Sequence, residues 1–301
     1  MLTHFHADHV GGFDALFSGA DPLLVTGGVV HRGFVDVGPG VNEADFEATC
    51  LRLRGTLAAK NFGLCTGAPE SACVIGPRAP ASSCPGLTLG NLATVSDDAA
   101  GDPSFIELGS GARLELLGAN GFMLQGRTPV AASAFGVTDV NEENARSVVG
   151  VVKHGAFRFL FAGDLSGSGL STEPDLETFV VNSQPQLFGT LGMDVTHANH
   201  HARKTSSNSN YVQAAAPNDG RARSVIAGIN AAYLNSPHQE TIDAWTSGGR
   251  LGAGRLFVTQ RAAAGGTGPG LVDVGGRVVV QTVEQGGGYW IDASSAPSLR
   301  R

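Results

Sequence analysis

The stretch His-Phe-His-Ala-Asp-His at residues 4–9 constrains this chain most, because it places four potential metal ligands within six positions. His4 and His6 are two residues apart, so at the end of an extended strand both rings point to the same side. That arrangement can hold one metal ion. Asp8 and His9 follow where the chain must turn before a Gly-Gly pair. Their side chains can reach a second metal position about 3.5–4 Å away, as two-metal hydrolytic sites require.

The ligand types in this stretch indicate which metal it would bind. Imidazole and carboxylate ligands together suit zinc, manganese or iron better than calcium. We therefore expect one or two Zn²⁺ ions, with Mn²⁺ as an alternative. The competing interpretation is a pH-sensitive or incidental group of histidines. The metal site is favoured because an apolar residue precedes the stretch and two glycines follow it, which makes the pattern specific.

Composition limits the class of protein and its partners. The chain has 301 residues, of which 42% are hydrophobic, and it can bury a full core. It contains no run of eighteen or more apolar residues, so the sequence predicts no membrane-spanning segment and no membrane partner. The net charge of −7, with only three lysines, argues against a broad electrostatic surface for nucleic acid or anionic lipid. A local basic patch remains compatible with this charge.

All the cysteines lie close together in a loop-rich insert at about residues 50–100. They are Cys50, Cys65, Cys73 and Cys84, in a stretch rich in Gly, Pro, Ala and Ser. Their spacing lacks the C-x-x-C pairs of a structural zinc site, so we expect at least one disulfide, with free thiols as the alternative. The sequence leaves all three pairings open. A disulfide would favour an extracytoplasmic or secreted location.

Strand-like and helix-like segments alternate along the chain, which predicts an α+β fold with sheets covered by helices in a single domain over residues 1–301. Two hairpins are expected at 105–119 and 146–166, the second turning at His154-Gly155. Further strand-like segments lie at 23–30, 178–182, 194–201, 224–230, 255–261 and 277–294. Helices are expected at 10–20, 42–60 and 239–247.

The H-x-H-x-D-H stretch resembles the signature of the metallo-β-lactamase superfamily, whose fold is an αββα sandwich. The resemblance implies a later aspartate, just after a strand, that bridges two metals, and FRFLFAGDLS supplies Asp164 in that setting. It also implies a histidine at the end of a following strand, for which DVTHANHHARKTSS offers His200 and His201. Of these two we favour His200 as the ligand, because it takes the place after the strand where the superfamily puts its ligand.

Later residues resemble the ComEC-type branch of this superfamily, which includes the nuclease domain of DNA-uptake proteins. That branch carries N-x-x-S, then G-D, then H-H-G-S-x-x-S-S, then an Asn followed by a Tyr and a His. The matching positions are Asn144, Ser147, Gly163, Asp164, His200, His201, Ser206, Ser207, Asn230, Tyr233 and His238. The resemblance covers residues 1–18 and about 105–292, and it does not explain the cysteine insert.

The chain also departs from the family pattern. Ala202-Arg203 replaces the Gly-Ser that follows the double histidine. The superfamily's further histidine between the first motif and the bridging aspartate has no clear counterpart, since only His31 and His154 are available, and His154 is expected in a solvated turn. The first metal would then be held by fewer protein groups. Members also place strands ahead of the motif, so the resemblance predicts that this chain is truncated and lacks the first N-terminal strands.

The resemblance implies metal-assisted hydrolysis, in which bound water has a pKa of about 7. Asp8 would orient that water or accept its proton, and Asp164 would bridge the metals. His238 is either a second catalytic residue or a surface residue at the start of a helix, and the sequence leaves both open. Arg203 and Lys204 follow the ligand histidine and suit phosphate oxygens, although a solvated loop is the plainer interpretation.

The predicted activity is therefore that of a phosphodiesterase or nuclease-like hydrolase acting on a small-molecule or nucleic-acid phosphodiester. The expected substrate-binding residues are His201, Arg203, Lys204, Ser206, Ser207 and Asn230. Two alternatives remain. One is a hydrolase of another ester, a lactone or a β-lactam, and the other is a catalytically silent metal-binding fold.

Overall fold

The computed structural model describes residues 2–11, 13, 29–32, 44, 48–49, 61–63, 90–91, 105–125, 128–137, 142–170, 173–189, 191–229 and 235–294. The chain divides into two compact units, and the expectation of a single domain stays a prediction. The first unit is Met1–Ile106 with Leu116–Val149, and the second is Glu107–Glu115 with Gly150–Arg301. All four cysteines lie outside the described residues, as do most of 10–30 and 42–60. The disulfide and the two helices predicted there therefore stay predictions.

Strands make up most of the regular structure in the part of the chain that is described. In chain order they are β1 (Val29–His31), β2 (Asn61–Gly63), β3 (Gly90–Asn91), β4 (Phe105–Gly109), β5 (Ala112–Ala119), β6 (Phe122–Gln125), β7 (Thr128–Ala131), β8 (Val149–His154), β9 (Phe157–Phe161), β10 (Val195–His197), β11 (Ser224–Ala227), β12 (Leu256–Val258), β13 (Leu271–Asp273), β14 (Arg277–Thr282) and β15 (Tyr289–Ser294).

The α-helices are short. Among the described residues they are α1 (Ala7–Val10), α2 (Leu176–Ser183), α3 (Pro185–Phe188), α4 (Ser209–Ala215) and α5 (Gln239–Thr246), and Asn199–Ala202 forms a further single turn whose last three residues have positive φ. Single 3-10 turns cover Ala132–Phe135, Asn144–Arg146, Ser247–Gly249 and Glu284–Gly286. Among the described residues, no helix is long and apolar enough to cross a membrane.

The first unit contains a parallel sheet, β1-β2-β3, and the antiparallel strands β5-β6-β7. The turn between β5 and β6 uses Asn120 and Gly121, which both have positive φ. Phe5 and Leu116 are fully buried in this unit. The buried Phe5 belongs to the H-x-H motif, so the histidines on either side of it are anchored in the core.

The second unit contains a mixed sheet in the order β13-β12-β11-β10-β9-β8, with the first half of β5 beside β8. Strands β9 to β13 are parallel, whereas β8 and β9 form an antiparallel hairpin. Parallel strands end at the same edge of a sheet, so the loops that follow neighbouring strands lie side by side. Asp164 follows β9 and His200 follows β10, which places both loops at one edge.

Helices α2 and α4 pack together and share their caps. Asp175 caps α2 by accepting a hydrogen bond from the Thr178 backbone N–H, and it also accepts one from the Asn208 amide. Asn208 in turn caps α4 by accepting one from the Tyr211 backbone N–H. The strand predicted at 178–182 is wrong, because the cap and the buried Leu176, Phe179 and Val180 on one helical face favour a helix there.

Several sequence predictions agree with the structure. The chain has a mixed α/β structure with a large mixed sheet and helices, which is compatible with the predicted α+β class. The hairpin at 105–119 is confirmed as β4–β5, and the helix at 239–247 is confirmed as α5. The hairpin at 146–166 is confirmed as β8–β9, although its turn is at residues 155–156 and His154 is the last residue of β8.

Truncating a side chain in the middle of the second sheet should measure how tightly this unit is packed. Leu160 in β9 is fully buried, and Leu160→Ala should lower the free energy of unfolding by about 2–5 kcal/mol, since it removes buried methyl groups and leaves a cavity. Leu191 is 55% exposed, and Leu191→Ala is the matched control with a change under about 0.5 kcal/mol. Urea denaturation measures both, and equal losses would contradict the packing described here.

Candidate metal centre

The first unit brings the rings of His4 and His6 together. His4 Nε2 lies 3.2 Å from His6 Nδ1, and the ring planes are inclined at 79°. Two nitrogen ligands of one tetrahedral zinc, each 2.0–2.1 Å from the metal, lie about 3.3 Å apart. This separation is compatible with two ligands of one metal ion, and it is also the length of a hydrogen bond between the two rings. His4 is fully buried, whereas His6 is half-buried.

Hydroxyl groups occupy the other side of two motif histidines. Thr3 Oγ1 lies 3.2 Å from His4 Nδ1 and 3.3 Å from His9 Nδ1, and Ser147 Oγ lies 3.4 Å from His4 Nδ1. The Thr3 carbonyl accepts a hydrogen bond from the Val148 backbone N–H, which holds the segment in place. Partners on Nδ1 orient a ring for ligation through Nε2. Thr3 lies outside the ligand motif that the sequence indicates.

Asp8 and His9 lie in the short helix α1, which begins directly after His6. Asp8 is exposed, and its Oδ2 lies 3.5 Å from His9 Nε2. On the other side of the motif, Glu142 Oε1 lies 3.9 Å from His6 Nε2, and burial raises the pKa of the Glu142 carboxyl. A carboxylate behind the second nitrogen of a histidine is a usual feature of metal ligands. Glu142 was also absent from the sequence prediction.

A fully buried ion pair supports the backbone of the H-x-H motif. Arg32 donates from Nε and Nη2 to the two carboxylate oxygens of Glu143, at 2.7 and 2.8 Å. Glu143 also accepts a hydrogen bond of 2.8 Å from the Phe5 backbone N–H, and the Arg32 guanidinium lies 4.6 Å from the centre of the Phe5 ring. Because Phe5 separates His4 and His6, the ion pair fixes the backbone between the two rings.

The second unit pairs Asp164 with His201. Asp164 is buried, and its Oδ2 lies 3.1 Å from His201 Nε2. His201 Nδ1 lies 2.7 Å from the Gly228 carbonyl oxygen, which can only accept, so Nδ1 carries the proton. His201 Nε2 therefore faces Asp164: it forms an ion pair with the carboxylate when it carries a proton, and it is the nitrogen that would bind a metal ion in place of that proton.

His200 has different partners. Its Nδ1 lies 2.9 Å from Thr205 Oγ1, and its Nε2 lies 3.5 Å from the Arg203 guanidinium. The geometry thus places His201 next to Asp164, whereas the sequence prediction gave the ligand role to His200 and the substrate role to His201. The ligand role of His200 stays a prediction, and His201 is the better candidate on geometry.

The double histidine lies in an unusual backbone turn. His200, His201 and Ala202 have φ values of 49°, 54° and 56°, so three consecutive residues are left-handed. The His200 N–H donates to the Gly163 carbonyl, and the His238 N–H donates to the Ala202 carbonyl. These bonds join the turn to the Asp164 loop and to the start of α5.

The remaining predicted substrate residues fall into three groups. Ser206 donates to the Asn199 and Arg203 carbonyls, and Ser207 Oγ accepts from Trp245 Nε1, so both hydroxyls bond inside the protein. Arg203 and Lys204 are exposed. Asn230 and Tyr233 lie outside the described residues, so the substrate role of Asn230 stays a prediction.

His238 lies at the N-terminus of α5 and is half-buried. Burial lowers the pKa of the His238 imidazole, and the positive charges of Arg203 and Lys204 lower it further, while Glu240 opposes them. These effects favour the neutral form of the His238 imidazole. Two exposed cationic side chains beside a neutral imidazole form a local basic patch in an otherwise acidic protein.

His154 and His197 are each the last residue of a strand. His154 Nδ1 lies 2.8 Å from Thr282 Oγ1 in the β14–β15 hairpin, so this half-buried ring has a protein partner rather than the fully solvated turn that we expected. His197 ends β10 and is half-buried, as expected for a strand residue.

No protein-family model matches this sequence, and no curated protein matches it. The resemblance to the metallo-β-lactamase superfamily therefore depends on the motif residues and on the local geometry around them.

Breaking the buried ion pair should be costly. Arg32→Met leaves the Glu143 carboxylate buried without its charge partner, so we expect the free energy of unfolding to fall by about 3–5 kcal/mol. Arg255 is exposed, and Arg255→Met should change the free energy of unfolding by less than about 0.5 kcal/mol. The double variant Arg32→Met/Glu143→Met should recover part of the loss. Equal stabilities of the two arginine variants in urea would refute this role.

The pKa of His238 should respond to its charged neighbours in both directions. Arg203→Gln removes a positive charge and should raise the pKa of His238 towards its ordinary value, whereas Glu240→Gln removes a negative charge and should lower it. NMR titration of the imidazole resonances measures both shifts, with Arg255→Gln as a control expected to leave the midpoint unchanged. An unchanged midpoint in Arg203→Gln would contradict the basic patch.

Proposed function

We propose that this protein is a metal-dependent hydrolase of the metallo-β-lactamase type, with an αββα fold, and that it cleaves phosphodiesters. The observation that carries the proposal is the 3.2 Å separation of His4 Nε2 and His6 Nδ1, which suits two ligands of one zinc ion. The Asp164–His201 pair supports it, because the superfamily requires an aspartate after one strand and a histidine after the next.

The residues of each unit have separate roles in this proposal. His4 and His6 would hold one ion, with Asp8 and His9 as further ligands in the first unit, and Asp164 with either His200 or His201 would be ligands in the second unit, as the resemblance implies. A bound zinc or manganese ion supplies hydroxide at neutral pH by lowering the pKa of water to about 7. Asp8 is the exposed carboxylate of the motif, so it can orient that water or accept its proton.

The basic patch favours an anionic substrate. Arg203 presents a planar set of donors that suits phosphate oxygens, and Lys204 adds a second positive charge. His238, whose lowered pKa favours the neutral imidazole, can accept a proton or donate a hydrogen bond from its ring N–H. Together these groups would bind the phosphate group and neutralise charge that develops on it.

A second candidate is the hydrolysis of another ester, a lactone or a β-lactam. It is favoured by the inward-facing hydroxyls of Ser206 and Ser207, which leave fewer donors for a phosphate than the sequence indicates. The net charge of −7 also suits a neutral substrate better than a polyanion.

Activity and metal content together test the proposal. The zinc- or manganese-loaded protein should hydrolyse bis-p-nitrophenyl phosphate and single-stranded DNA, and a chelator should abolish this activity. Asp164→Asn and His6→Ala should each lower kcat/KM by about 100-fold or more, because each removes a proposed ligand. His154→Gln is the matched control, since its partner is in the β14–β15 hairpin, and it should retain full activity.

Three other outcomes are informative. A fully metal-loaded protein that is inactive on both phosphodiesters would reject the proposed activity. Turnover of a lactone or nitrocefin under the same conditions would select the second candidate. Less than about one metal ion per chain would favour a catalytically silent fold over the two-metal scheme.

A further inference from the structure

The left-handed turn at His200-His201-Ala202 requires an external restraint. Residues other than glycine rarely adopt positive φ, and three in succession are rarer still. The related family pattern has glycine after the double histidine, whereas this chain has Ala202. The turn therefore depends on its surroundings to stay in this conformation, and the orientation of His201 depends on the turn.

A buried carboxylate holds both ends of this segment. Glu177 is fully buried in the first turn of α2. Its Oε1 accepts hydrogen bonds of 2.8 Å from the Asn199 amide and from the Ser207 backbone N–H. Its Oε2 accepts one of 2.8 Å from the Asn208 backbone N–H. Asn199 precedes the double histidine, and Ser207 and Asn208 close the loop that follows it.

We propose that Glu177 is a positioning residue, whose carboxylate holds the two ends of the 199–208 loop so that the turn stays left-handed and His201 Nε2 faces Asp164. The link to metal binding rests on the proposed function, because His201 is taken there as a candidate ligand. The effect of Glu177 on the orientation of the His201 ring does not depend on the proposed function.

The surroundings of Glu177 are specific to its carboxylate. A Cβ on Gly167 would collide with Glu177 Oε2, so the glycine leaves room for the carboxylate. Burial raises the pKa of Glu177 to about 7, and the three N–H donors and the nearby Asp175 act in opposite directions on it. A buried group that is costly to ionise is retained here with three donors aimed at it, which indicates a geometric role rather than a gain in stability.

The first test compares Glu177→Gln with Glu115→Gln. Glutamine keeps the size of the side chain but turns a donor towards an existing N–H donor. Glu115 is a matched control, because it is a buried carboxylate of the same unit that is paired with Arg113 and Lys153. In the metal-free protein, ¹⁵N NMR of labelled histidine should show that His201 loses its fixed Nδ1–H tautomer in Glu177→Gln and keeps it in Glu115→Gln.

Zinc affinity gives a second measurement. Titration of the full chain with zinc should show affinity reduced by about 10-fold or more in Glu177→Gln, the range seen when groups that orient a ligand are removed. Glu115→Gln should bind zinc as the unaltered protein does. A role in packing alone would lower the stability of both variants and leave both zinc affinities unchanged, which would overturn the proposal.

A glycine substitution distinguishes two ways in which Glu177 could act. It could restrain the left-handed turn, or it could support the loop in general. Ala202→Gly removes the steric objection to positive φ, so the turn no longer needs the carboxylate to the same degree. Glu177→Gln/Ala202→Gly should therefore regain most of the tautomer signal and the zinc affinity that Glu177→Gln loses. If the double variant behaves like Glu177→Gln alone, the carboxylate does not act through this turn.

A milder variant covers the case in which Glu177→Gln does not fold. Gly167→Ala should displace the carboxylate and shift the His201 tautomer in the same direction, and an unchanged tautomer would overturn the proposal. If the unaltered protein binds no zinc while either variant still changes the His201 tautomer, the proposed function fails and the positioning role stands.

Discussion

The parallel pairing of β9 with β10 is the constraint on which the second unit depends. Both strands end at the same edge, so the Asp164 loop and the double-histidine loop must lie side by side. The hydrogen bond from the His200 N–H to the Gly163 carbonyl then joins the two loops. The sheet thereby brings the carboxylate of Asp164 and the imidazole of His201 together, although the two residues are far apart in the sequence.

Buried carboxylates perform the same task in each unit. Glu143 accepts the N–H of Phe5 between two motif histidines, and Glu177 accepts N–H groups on both sides of the other histidine pair. Burying a carboxylate is unfavourable, and its partners recover this free energy only when the geometry is good. Arg32 supplies that compensation for Glu143, whereas Glu177 is compensated by neutral donors. In both cases the carboxylate accepts hydrogen bonds from backbone close to a histidine of the candidate site.

Local patterns in the sequence predicted local structure well. The hairpin at 105–119 and the helix at 239–247 follow from short-range alternation and helical spacing, and both are present. The segment 178–182 is rich in β-branched residues, but a cap at Asp175 and tertiary burial make it a helix. The motif residues at 4–9 could be recognised because ligand types at fixed spacing are a local signal.

The supporting residues gave no such signal. Arg32 and Glu143 are 111 positions apart, and neither lies in a pattern that distinguishes it from a surface charge. Glu177 looks like an ordinary residue of a helical first turn. The choice between His200 and His201 also depends on tertiary structure, because adjacent residues have the same local context and only the φ values of the turn decide which ring faces Asp164.

The histidines of both units share one chemical feature that bears on metal binding. Thr3 Oγ1 lies beside Nδ1 of His4 and of His9, and the Gly228 carbonyl fixes the proton on Nδ1 of His201. A hydroxyl can accept from both rings at once, so one threonine can favour the Nδ1–H tautomer in two histidines. Rings held in this way would present Nε2 to a metal ion without a further loss of conformational entropy, which would favour binding at the proposed centre.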